Sequence, residues 1–193
     1  MESAPAPMLP FPFRLETERL VVASPEARDV DDLHAALCES MDDLGPWIPW
    51  ADHVPTREET VARIARYERC FREGSDMPMH VWRRSDRRLV AGVGVHRPRP
   101  AIPAGEVGYW VRSGDGGRGY VSEAVSALVE HLFDRCALER VELRIDPANG
   151  PSRALAERLG FELEGILRAN DRHWDGSLKD SCVYARIVND TRR

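Results

Sequence analysis

The sequence lacks the features that define several large classes of protein. Its four cysteines, Cys38, Cys70, Cys136 and Cys182, are scattered, with no pair at the spacing of a metal site or a disulfide framework. We therefore expect reduced thiols in a cytoplasmic protein that holds no metal. No apolar run reaches the roughly 20 residues that cross a membrane, so no transmembrane helix is predicted.

Positive charge is outweighed by negative charge. The chain has 27 lysines and arginines against 32 aspartates and glutamates, which gives a formal net charge of −5. This balance argues against a general affinity for nucleic acid. A mildly acidic surface instead suits a cationic substrate such as an amine. Lys179 is the only lysine, a bias that we attribute to genome composition.

The 193 residues are enough for one domain with a sizeable core. Residues 1–12 are rich in proline and alanine, and they lack the basic region of a signal peptide. We predict a disordered tail at 1–12 and a single domain over 13–193.

Hydrophobic periodicity predicts strands alternating with helices. Helix starts are indicated by Ser24-Pro25-Glu26 and by the T-x-x-E capping box at Thr56–Glu59. The alternation predicts a mixed sheet flanked by helices, of class α/β or α+β. The predicted elements are, in order, a strand (13–23), a helix ending near Glu39, an irregular loop (41–55), a helix ending near Gly74, three strands (79–83, 89–96 and 106–112), a helix after a glycine-rich turn, a strand (140–146), a short helix (152–159) and a hairpin (161–174 and 178–187).

The glycine-rich turn at 114–119 separates a predicted strand from a predicted helix. An apolar run at 107–111 precedes it, and apolar residues spaced as one helix face follow it from Val121 to Leu132. Glycine permits positive φ and a close approach of the backbone to a ligand. The first helical amides lack intrahelical partners and lie at the positive end of the helix dipole. The turn is therefore predicted to bind phosphate.

Two better-known phosphate motifs do not describe this turn. The P-loop pattern Gly-x-x-x-x-Gly-Lys-Ser/Thr is absent. The segment Gly114–Gly119 fits G-x-G-x-x-G by letter, but it lies mid-chain among strands that look antiparallel, unlike the dinucleotide-binding fingerprint. On the turn alone, a glycine-rich connector without a ligand is an open alternative.

The turn and its surroundings resemble the GNAT superfamily of N-acetyltransferases. Within it, the pattern is similar to the branch that contains the ribosomal-protein N-terminal acetyltransferases, a branch that the segments Thr17–Leu20 and Trp47–Trp50 also fit. The resemblance covers roughly residues 14–188 and implies a mixed, mostly antiparallel sheet of about seven strands with splayed central strands and about four flanking helices. Its segments, in family order, are Glu106–Val111, Gly117–Ala124, Val141–Asn149, Ser152–Phe161, Glu164–Arg168 and Asp175-Gly176.

The resemblance implies acetyl-CoA as the acetyl donor, held by the main chain of the turn. The family turn reads Arg/Gln-x-x-Gly-x-Gly/Ala; here Gly116 replaces the first residue, Gly119 matches and Val121 replaces the last. Arg118 either supplies part of the missing charge or is simply solvated, and Ser122 either contacts phosphate or caps the helix. The implied cofactor-binding residues of the turn are Gly116, Gly117, Arg118, Gly119, Tyr120, Val121 and Ser122, chiefly through their amides.

The resemblance places the pantetheine arm of the donor between two splayed strands, 109–112 and 141–146. Asn149 matches a family asparagine that contacts this arm, and its alternative role is that of a turn residue between two prolines. Ser152 is expected either to protonate the leaving thiolate or to cap the short helix. No tyrosine occupies this stretch, so the tyrosine acid of other branches is missing from it.

Acetyl transfer to an amine needs a base and an oxyanion donor. Glu106 is the first choice of base because it opens the strand that presents the thioester; a surface carboxylate is the alternative. His96, His80 and Asp146 are rivals for that role. The amide of Val111 or a neighbour is predicted to stabilise the oxyanion. No cysteine or serine lies in a recognisable nucleophile setting, so direct attack by the amine is predicted.

The Trp47–Trp50 segment is an aromatic stretch in a predicted loop, and it either plugs the core or lines a substrate cleft. We assign Trp47, Trp50 and His96 to the substrate site. Three functions follow as hypotheses: acetylation of a protein or peptide N-terminus, acetylation of a small-molecule amine, or a non-catalytic CoA-binding module. The resemblance also implies a homodimer.

Overall fold

The computed structural model describes residues 8–99, 102–173 and 175–188, and these residues form one eight-stranded sheet with helices on both faces. The helices are α1 (Val30–Leu44), α2 (Arg57–Glu73), α3 (Tyr120–Cys136) and α4 (Gly150–Arg158), with a 3-10 turn at Ala27–Asp29 before α1. The strands are β1 (Arg14–Glu16), β2 (Leu20–Ala23), β3 (Met77–Arg83), β4 (Leu89–Arg99), β5 (Ala104–Val111), β6 (Arg140–Ile145), β7 (Glu162–Arg172) and β8 (Leu178–Ile187).

The predicted element order is confirmed, with one strand more than expected. The segment predicted as a single strand at 13–23 folds as β1 and β2, which pair with each other antiparallel. A tight turn separates them, closed by a hydrogen bond from the Thr17 amide to the Leu20 carbonyl of 3.0 Å. The described sheet therefore has eight strands in place of the predicted seven.

Helix α1 starts later and ends later than predicted. Ser24 does not cap it; a capping box between Glu26 and Asp29 opens the 3-10 turn instead. The helix continues past Glu39 because Met41 and Leu44 extend its buried face, and the first proline of the loop comes only at position 46. Helix α2 has the predicted capping box at Thr56 and ends as predicted at Gly74.

The N-terminal segment packs where a disordered tail was predicted. Leu9 is fully buried, and the ring of Phe11 lies 5.7 Å from that of Phe71. The prediction of disorder is therefore wrong for residues 8–12, because their apolar side chains cover the core beside α2. Residues 1–7 lie outside the described part of the chain.

The strand order β1-β2-β3-β4-β5-β6-β8-β7 contains one parallel pair, β5 with β6. Their pairing runs from Ala104–Arg140 to Glu106–Glu142 and stops there, although both strands continue. The two strands therefore diverge, as the family resemblance implied. This leaves a gap in the middle of the sheet, and β5 reaches the glycine turn at its far end.

Two apolar clusters lie on opposite faces of the sheet. Helix α3 buries one side of itself completely on the first face, and α1 with α2 forms a second cluster on the other. None of the helices in the described segments is long and apolar enough to cross a membrane. The gap between β5 and β6 therefore lies between two helical layers. The fully buried residues of α3 are Ala124, Val125, Leu128, Val129 and Leu132.

Candidate active site

The glycine turn presents unpaired backbone amides at the start of α3. Gly117 and Gly119 have φ values of 71° and 78°, which only glycine adopts without strain. Gly119 is the N-cap residue, and the first helical hydrogen bond runs from the Glu123 amide to the Gly119 carbonyl at 3.0 Å. The amides at 120–122 therefore have no intrahelical partner and lie at the positive end of the helix dipole.

The side chains of this turn offer a ligand fewer groups than its main chain does. Tyr120 and Val121 are each only 9% exposed and face the core, so only their amides are available to a ligand. Ser122 does not cap the helix, because Gly119 holds that position. Arg118 is exposed. Most of the predicted contacts with the donor are thus main-chain contacts.

Asp115 anchors the turn, a role that sequence reasoning missed. The carboxylate is buried and accepts hydrogen bonds from Arg88 at 2.9 Å and Arg83 at 3.3 Å. Both arginines flank the β3–β4 connection. An acidic residue between glycines was the only signal in the sequence, and its partners lie about 30 residues away.

Glu123 ties the turn to the β1–β2 connection. Its carboxylate accepts hydrogen bonds from the Thr17 hydroxyl at 2.5 Å, the Arg19 amide at 3.0 Å and Arg19 Nε at 2.6 Å. Arg19 also donates to the Arg118 carbonyl at 3.1 Å. Burial opposes ionisation, but the hydrogen bonds from Thr17 and Arg19 hold the pKa of Glu123 below its ordinary value. We call Thr17, Arg19 and Glu123 the donor-loop clamp.

The edge of β5 that faces the gap carries free backbone groups. In an antiparallel ladder, successive residues direct their amide and carbonyl to opposite sides. The Arg112 amide bonds the Val90 carbonyl of β4 at 2.9 Å. The amides and carbonyls of Tyr109 and Val111 therefore point away from β4 and into the gap. The predicted oxyanion donor, the Val111 amide, lies on this edge.

Ser152 and Asn149 lie at the start of α4. The Asn149 side chain caps the helix by accepting a hydrogen bond from the Ser152 amide at 3.1 Å, so the predicted capping role of Ser152 is wrong. The Ser152 hydroxyl instead lies 2.7 Å from the hydroxyl of Tyr109. Burial raises the pKa of Tyr109, against the opposing effect of the Ser152 hydrogen bond. The fold thus brings a tyrosine to a stretch that has none in sequence.

An open cleft of about 590 Å³ lies beside the gap. Its walls come from the α1–α2 loop, α2, strands β3 to β6, the start of α4 and the β7–β8 hairpin. The glycine turn follows β5 beyond the residues that line this cleft. The cleft contains all the residues predicted to be catalytic or to contact the acceptor, which are Trp47, Trp50, His96, Glu106 and Ser152.

Glycines in β4 and β5 make room for the rings on the cleft floor. A Cβ atom at Gly92 would lie 2.2 Å from Trp110 Nε1, and one at Gly108 would lie 2.8 Å from His96 Nε2. His96 and Glu106 are cross-strand partners, and Nδ1 of His96 bonds Asp76. Gly94 and Gly108 therefore leave the space that the His96 ring occupies.

The candidate bases differ in how they are held. The Glu106 carboxylate lies 3.2 Å from Arg144 Nε, and its side chain is 18% exposed, so it is reachable from the cleft. Asp146 accepts a hydrogen bond from the Ala148 amide at 2.8 Å and so shapes the turn after β6. His80 is buried.

The Trp47–Trp50 loop serves both roles that its composition indicated. Ile48 and Trp50 pack against the cluster formed by α1 and α2, while Trp47 and Trp50 also line the cleft. The guanidinium of Arg63 lies 4.8 Å from the Trp50 ring centre. Lys179 of β8 donates to the Trp47 carbonyl at 3.3 Å. These contacts hold the loop as a wall of the cleft.

The glycine turn, the splayed strands and the adjoining cleft define an acyltransferase of the GNAT class. The family model described as "Acetyltransferase (GNAT) domain" matches residues 19–162, and the chain belongs to this family. The ribosomal-protein-serine acetyltransferase of Escherichia coli is 25% identical over 173 residues, which are 90% of this chain and 95% of that protein.

Two solved structures share the fold over most of their length. RimJ of Mycobacterium smegmatis in complex with CoA-disulfide has a TM-score of 0.86 at 22% identity, covering 95% of this chain and 91% of that one. The microcin C7 self-immunity acetyltransferase MccE, solved with acetyl-CoA and AMP, has a TM-score of 0.84 at 19% identity, covering 89% of this chain and 94% of that one. The predicted fold and family are thus confirmed.

Proposed function

We propose that this protein transfers the acetyl group of acetyl-CoA to the primary amine at the N-terminus of a protein or peptide. The observation that carries the proposal is the gap between β5 and β6, which runs from the glycine turn towards a cleft containing a carboxylate. The similarity to the E. coli ribosomal-protein-serine acetyltransferase supports a protein amine as acceptor.

The turn has the donor set that a diphosphate requires. Backbone amides from Gly117 to Ser122 offer hydrogen bonds and a positive dipole end, and neither depends on the missing side chain at Gly116. The free edge of β5 at Tyr109 and Val111 offers amide and carbonyl groups to the amides of the pantetheine arm. Asn149 lines the same cleft and supplies a side-chain amide.

The chain's own residues then divide the chemistry of transfer. Glu106 takes the proton from the attacking amine, directly or through a water molecule. The Val111 amide stabilises the negative charge that develops on the thioester oxygen. The Ser152 hydroxyl, hydrogen-bonded to Tyr109, protonates the departing thiolate of CoA. The amine nitrogen forms the new bond to the acetyl carbon as the carbon–sulfur bond breaks.

The cleft favours an enzyme over a non-catalytic CoA-binding module. A cleft of about 590 Å³ lies open beside the gap, and charged residues of both signs line it: Asp76, Glu106, Asp146 and Asp171 with Arg66, Arg144 and Lys179. This polar cleft has room for an acceptor amine beside Glu106, whereas a CoA sensor needs no such chamber opposite the thioester. Trp47 and Trp50 provide an apolar wall for the rest of the acceptor.

We further propose a homodimer in the cytoplasm. All residues of the edge strand β7 are exposed, and apolar side chains on the hairpin, such as Ile166 (52%) and Leu178 (58%), face solvent in one copy of the chain. A second copy seated on this hairpin would cover them. The four cysteines are free thiols, which suits a reducing compartment. Sedimentation analysis tests the dimer, which a monomer at micromolar concentration would contradict.

A panel assay tests the proposed function. Calorimetry should show that acetyl-CoA binds, and thiol release should then be measured with N-terminal peptides and with small amines at matched concentrations. Turnover of peptides above small amines supports the proposal. Turnover of small amines alone moves the acceptor to the second hypothesis, and absence of binding at millimolar acetyl-CoA contradicts the enzyme.

A further inference from the structure

The end of β5 is held by the sheet from one side only. Its pairing with β6 stops at Glu106, so beyond that residue only β4, among the described strands, still pairs with it. Val111, whose amide is the proposed oxyanion donor, is the last residue of this strand. Such a donor stabilises a developing charge only if its position and direction are fixed beforehand. The end of β5 therefore needs a support that does not come from a second strand.

Helix α1 supplies a support through Arg112, the residue that follows Val111. The guanidinium of Arg112 donates from Nε to Glu39 at 2.6 Å and from Nη2 to the other oxygen of the same carboxylate at 2.5 Å. It also donates to the Leu89 carbonyl of β4 at 3.2 Å, and its side chain is only 6% exposed. A two-point contact of this kind fixes orientation as well as distance. Arg112 therefore joins the end of the strand rigidly to α1.

A second contact from α1 holds the next residue of the chain. Ser40 is fully buried, and its hydroxyl donates to the Ala36 carbonyl at 2.6 Å. The same oxygen accepts the Ser113 amide at 3.0 Å, which satisfies a backbone donor just after the strand. Glu39 and Ser40 thus bind two consecutive residues of the segment that follows Val111.

Glu39 is also connected to the glycine turn. Its carboxylate lies 3.3 Å from Nη2 of Arg88, whose Nε donates to the buried carboxylate of Asp115 at 2.9 Å. The Asp115 amide in turn donates to the Arg112 carbonyl at 3.0 Å. The hydrogen bond from Arg112 is the main cause that holds the pKa of Glu39 below its ordinary value, so the carboxylate is charged at neutral pH. One carboxylate therefore links the end of β5 to the start of the turn.

We propose that Glu39 and Ser40 are positioning residues for acetyl transfer, which hold the Val111 amide where the thioester oxygen becomes negative. This inference rests on the proposed acetylation reaction and gives α1 a role in its chemical step. A displacement of about 1 Å at a reacting group can lower a rate about 100-fold. Loss of the support should therefore lower kcat. The affinity for acetyl-CoA should stay nearly constant, because the turn keeps its own anchors in Asp115 and the donor-loop clamp.

Glu39→Gln is the direct test. The amide keeps the shape of the side chain but presents a donor to Arg112 in place of one oxygen. We expect kcat to fall about tenfold, with the Kd for acetyl-CoA in calorimetry changed by less than about twofold. Asp31→Asn is the matched control, because Asp31 lies on the same helix and pairs with an arginine at 2.9 Å, Arg57, but faces α2. The control should leave both constants unchanged.

The infrared carbonyl band of bound acetyl-CoA reports on the Val111 amide itself. A hydrogen bond to the thioester oxygen lowers the stretching frequency of this carbonyl. With an isotope-labelled acetyl group, the band should therefore lie at higher frequency in the Glu39→Gln complex than in the wild-type and Asp31→Asn complexes. A loss of stability alone would lower the unfolding temperature without moving the band.

The inference requires both the fall in kcat and the movement of the band. An unchanged kcat, an unmoved band, or a weaker affinity for acetyl-CoA at constant kcat would overturn it. If Glu39→Gln does not fold, Ser40→Ala decides, because it removes only the hydrogen bond to the Ser113 amide. In Ser40→Ala, kcat should fall about threefold and the band should move in the same direction; wild-type values would overturn the inference.

The same measurements separate this inference from the proposed function. Absence of acetyl-CoA binding by the wild type would contradict the proposed function, and the inference with it. Binding without turnover of any amine would count against the proposed function alone. In that case the carbonyl band in wild type and variants decides the inference by itself.

Discussion

The donor half and the acceptor half of the site are built in different ways. The proposed donor half is one continuous stretch, from Val111 through the glycine turn to Ser122, and the groups that it offers belong mainly to the main chain. The acceptor half collects side chains from the α1–α2 loop, β3, β4, β5 and β8, which are far apart in sequence. Only the first can be recognised as a motif.

Because of this difference, we expect the two halves to respond differently to amino-acid substitution. Main-chain amides keep their positions after most substitutions, provided that the φ values at the glycines are kept. The turn can therefore have Gly116 at the position where the family has Arg or Gln. The acceptor half depends on individual residues. Gly92, for example, leaves room for the Trp110 ring, and Gly108 leaves room for the His96 ring. Acceptor changes should therefore affect kcat or specificity, and changes in the glycine turn should affect acetyl-CoA binding.

The largest expected effect is at Glu106. Glu106→Gln keeps the shape and removes the proton acceptor, so kcat should fall about 100-fold while the KM for acetyl-CoA stays constant. The acidic limb of the pH–rate profile should also change. The matched control is Glu164→Gln on β7, since that carboxylate is likewise paired with an arginine, Arg140, but lies outside the cleft. An unchanged pH profile in Glu106→Gln would remove Glu106 as the base.

The next largest effect is expected on acetyl-CoA binding at Gly119, and a second glycine controls for general backbone strain. Gly119→Val and Gly160→Val place a β-branched residue at the same φ of 78°, and each should cost about 1–2 kcal/mol of folding free energy. Only Gly119→Val should also weaken acetyl-CoA binding, by tenfold or more in calorimetry, because it displaces the amides of the turn. Equal affinity in both variants would contradict the amide cradle.

A smaller effect is expected at the donor-loop clamp. Glu123→Gln weakens the hydrogen bonds to Thr17 and Arg19, which should raise the KM for acetyl-CoA about three- to tenfold at constant kcat. Glu130→Gln on the same helix, which breaks an ion pair with Arg186, serves as the control. A fall in kcat without a change in KM would show that the clamp does not position the donor.

The smallest effect is on stability at alkaline pH. Because burial raises the pKa of Tyr109, the unfolded chain loses this proton at lower pH than the folded protein does. The stabilisation is thus complete below about pH 10 and is lost as the pH rises towards the folded pKa. Urea midpoints should fall less steeply above pH 10 in Tyr109→Phe than in the wild type. Tyr67→Phe, at a partly exposed tyrosine of α2, is the control.

Several parts of this protein could be predicted because they depend on local sequence. The ends of α2 follow from a capping box at Thr56 and a glycine at 74, which satisfy the terminal backbone groups of the helix within a few residues. In the same way, the glycines between an apolar run and an amphipathic helical pattern are enough to predict a tight turn there. The order of these segments was enough to predict the fold and the family.

Other parts were decided only by the tertiary structure, because they depend on contacts across long sequence separations. The partners of Asp115, the approach of Tyr109 to Ser152 and the Asp29–His80 pair join residues 27 to 51 positions apart. The cap of α4 was assigned to Ser152 as one alternative, yet Asn149 holds it. Periodicity places a residue on a face, but only the register of the sheet determines which side chain it meets there.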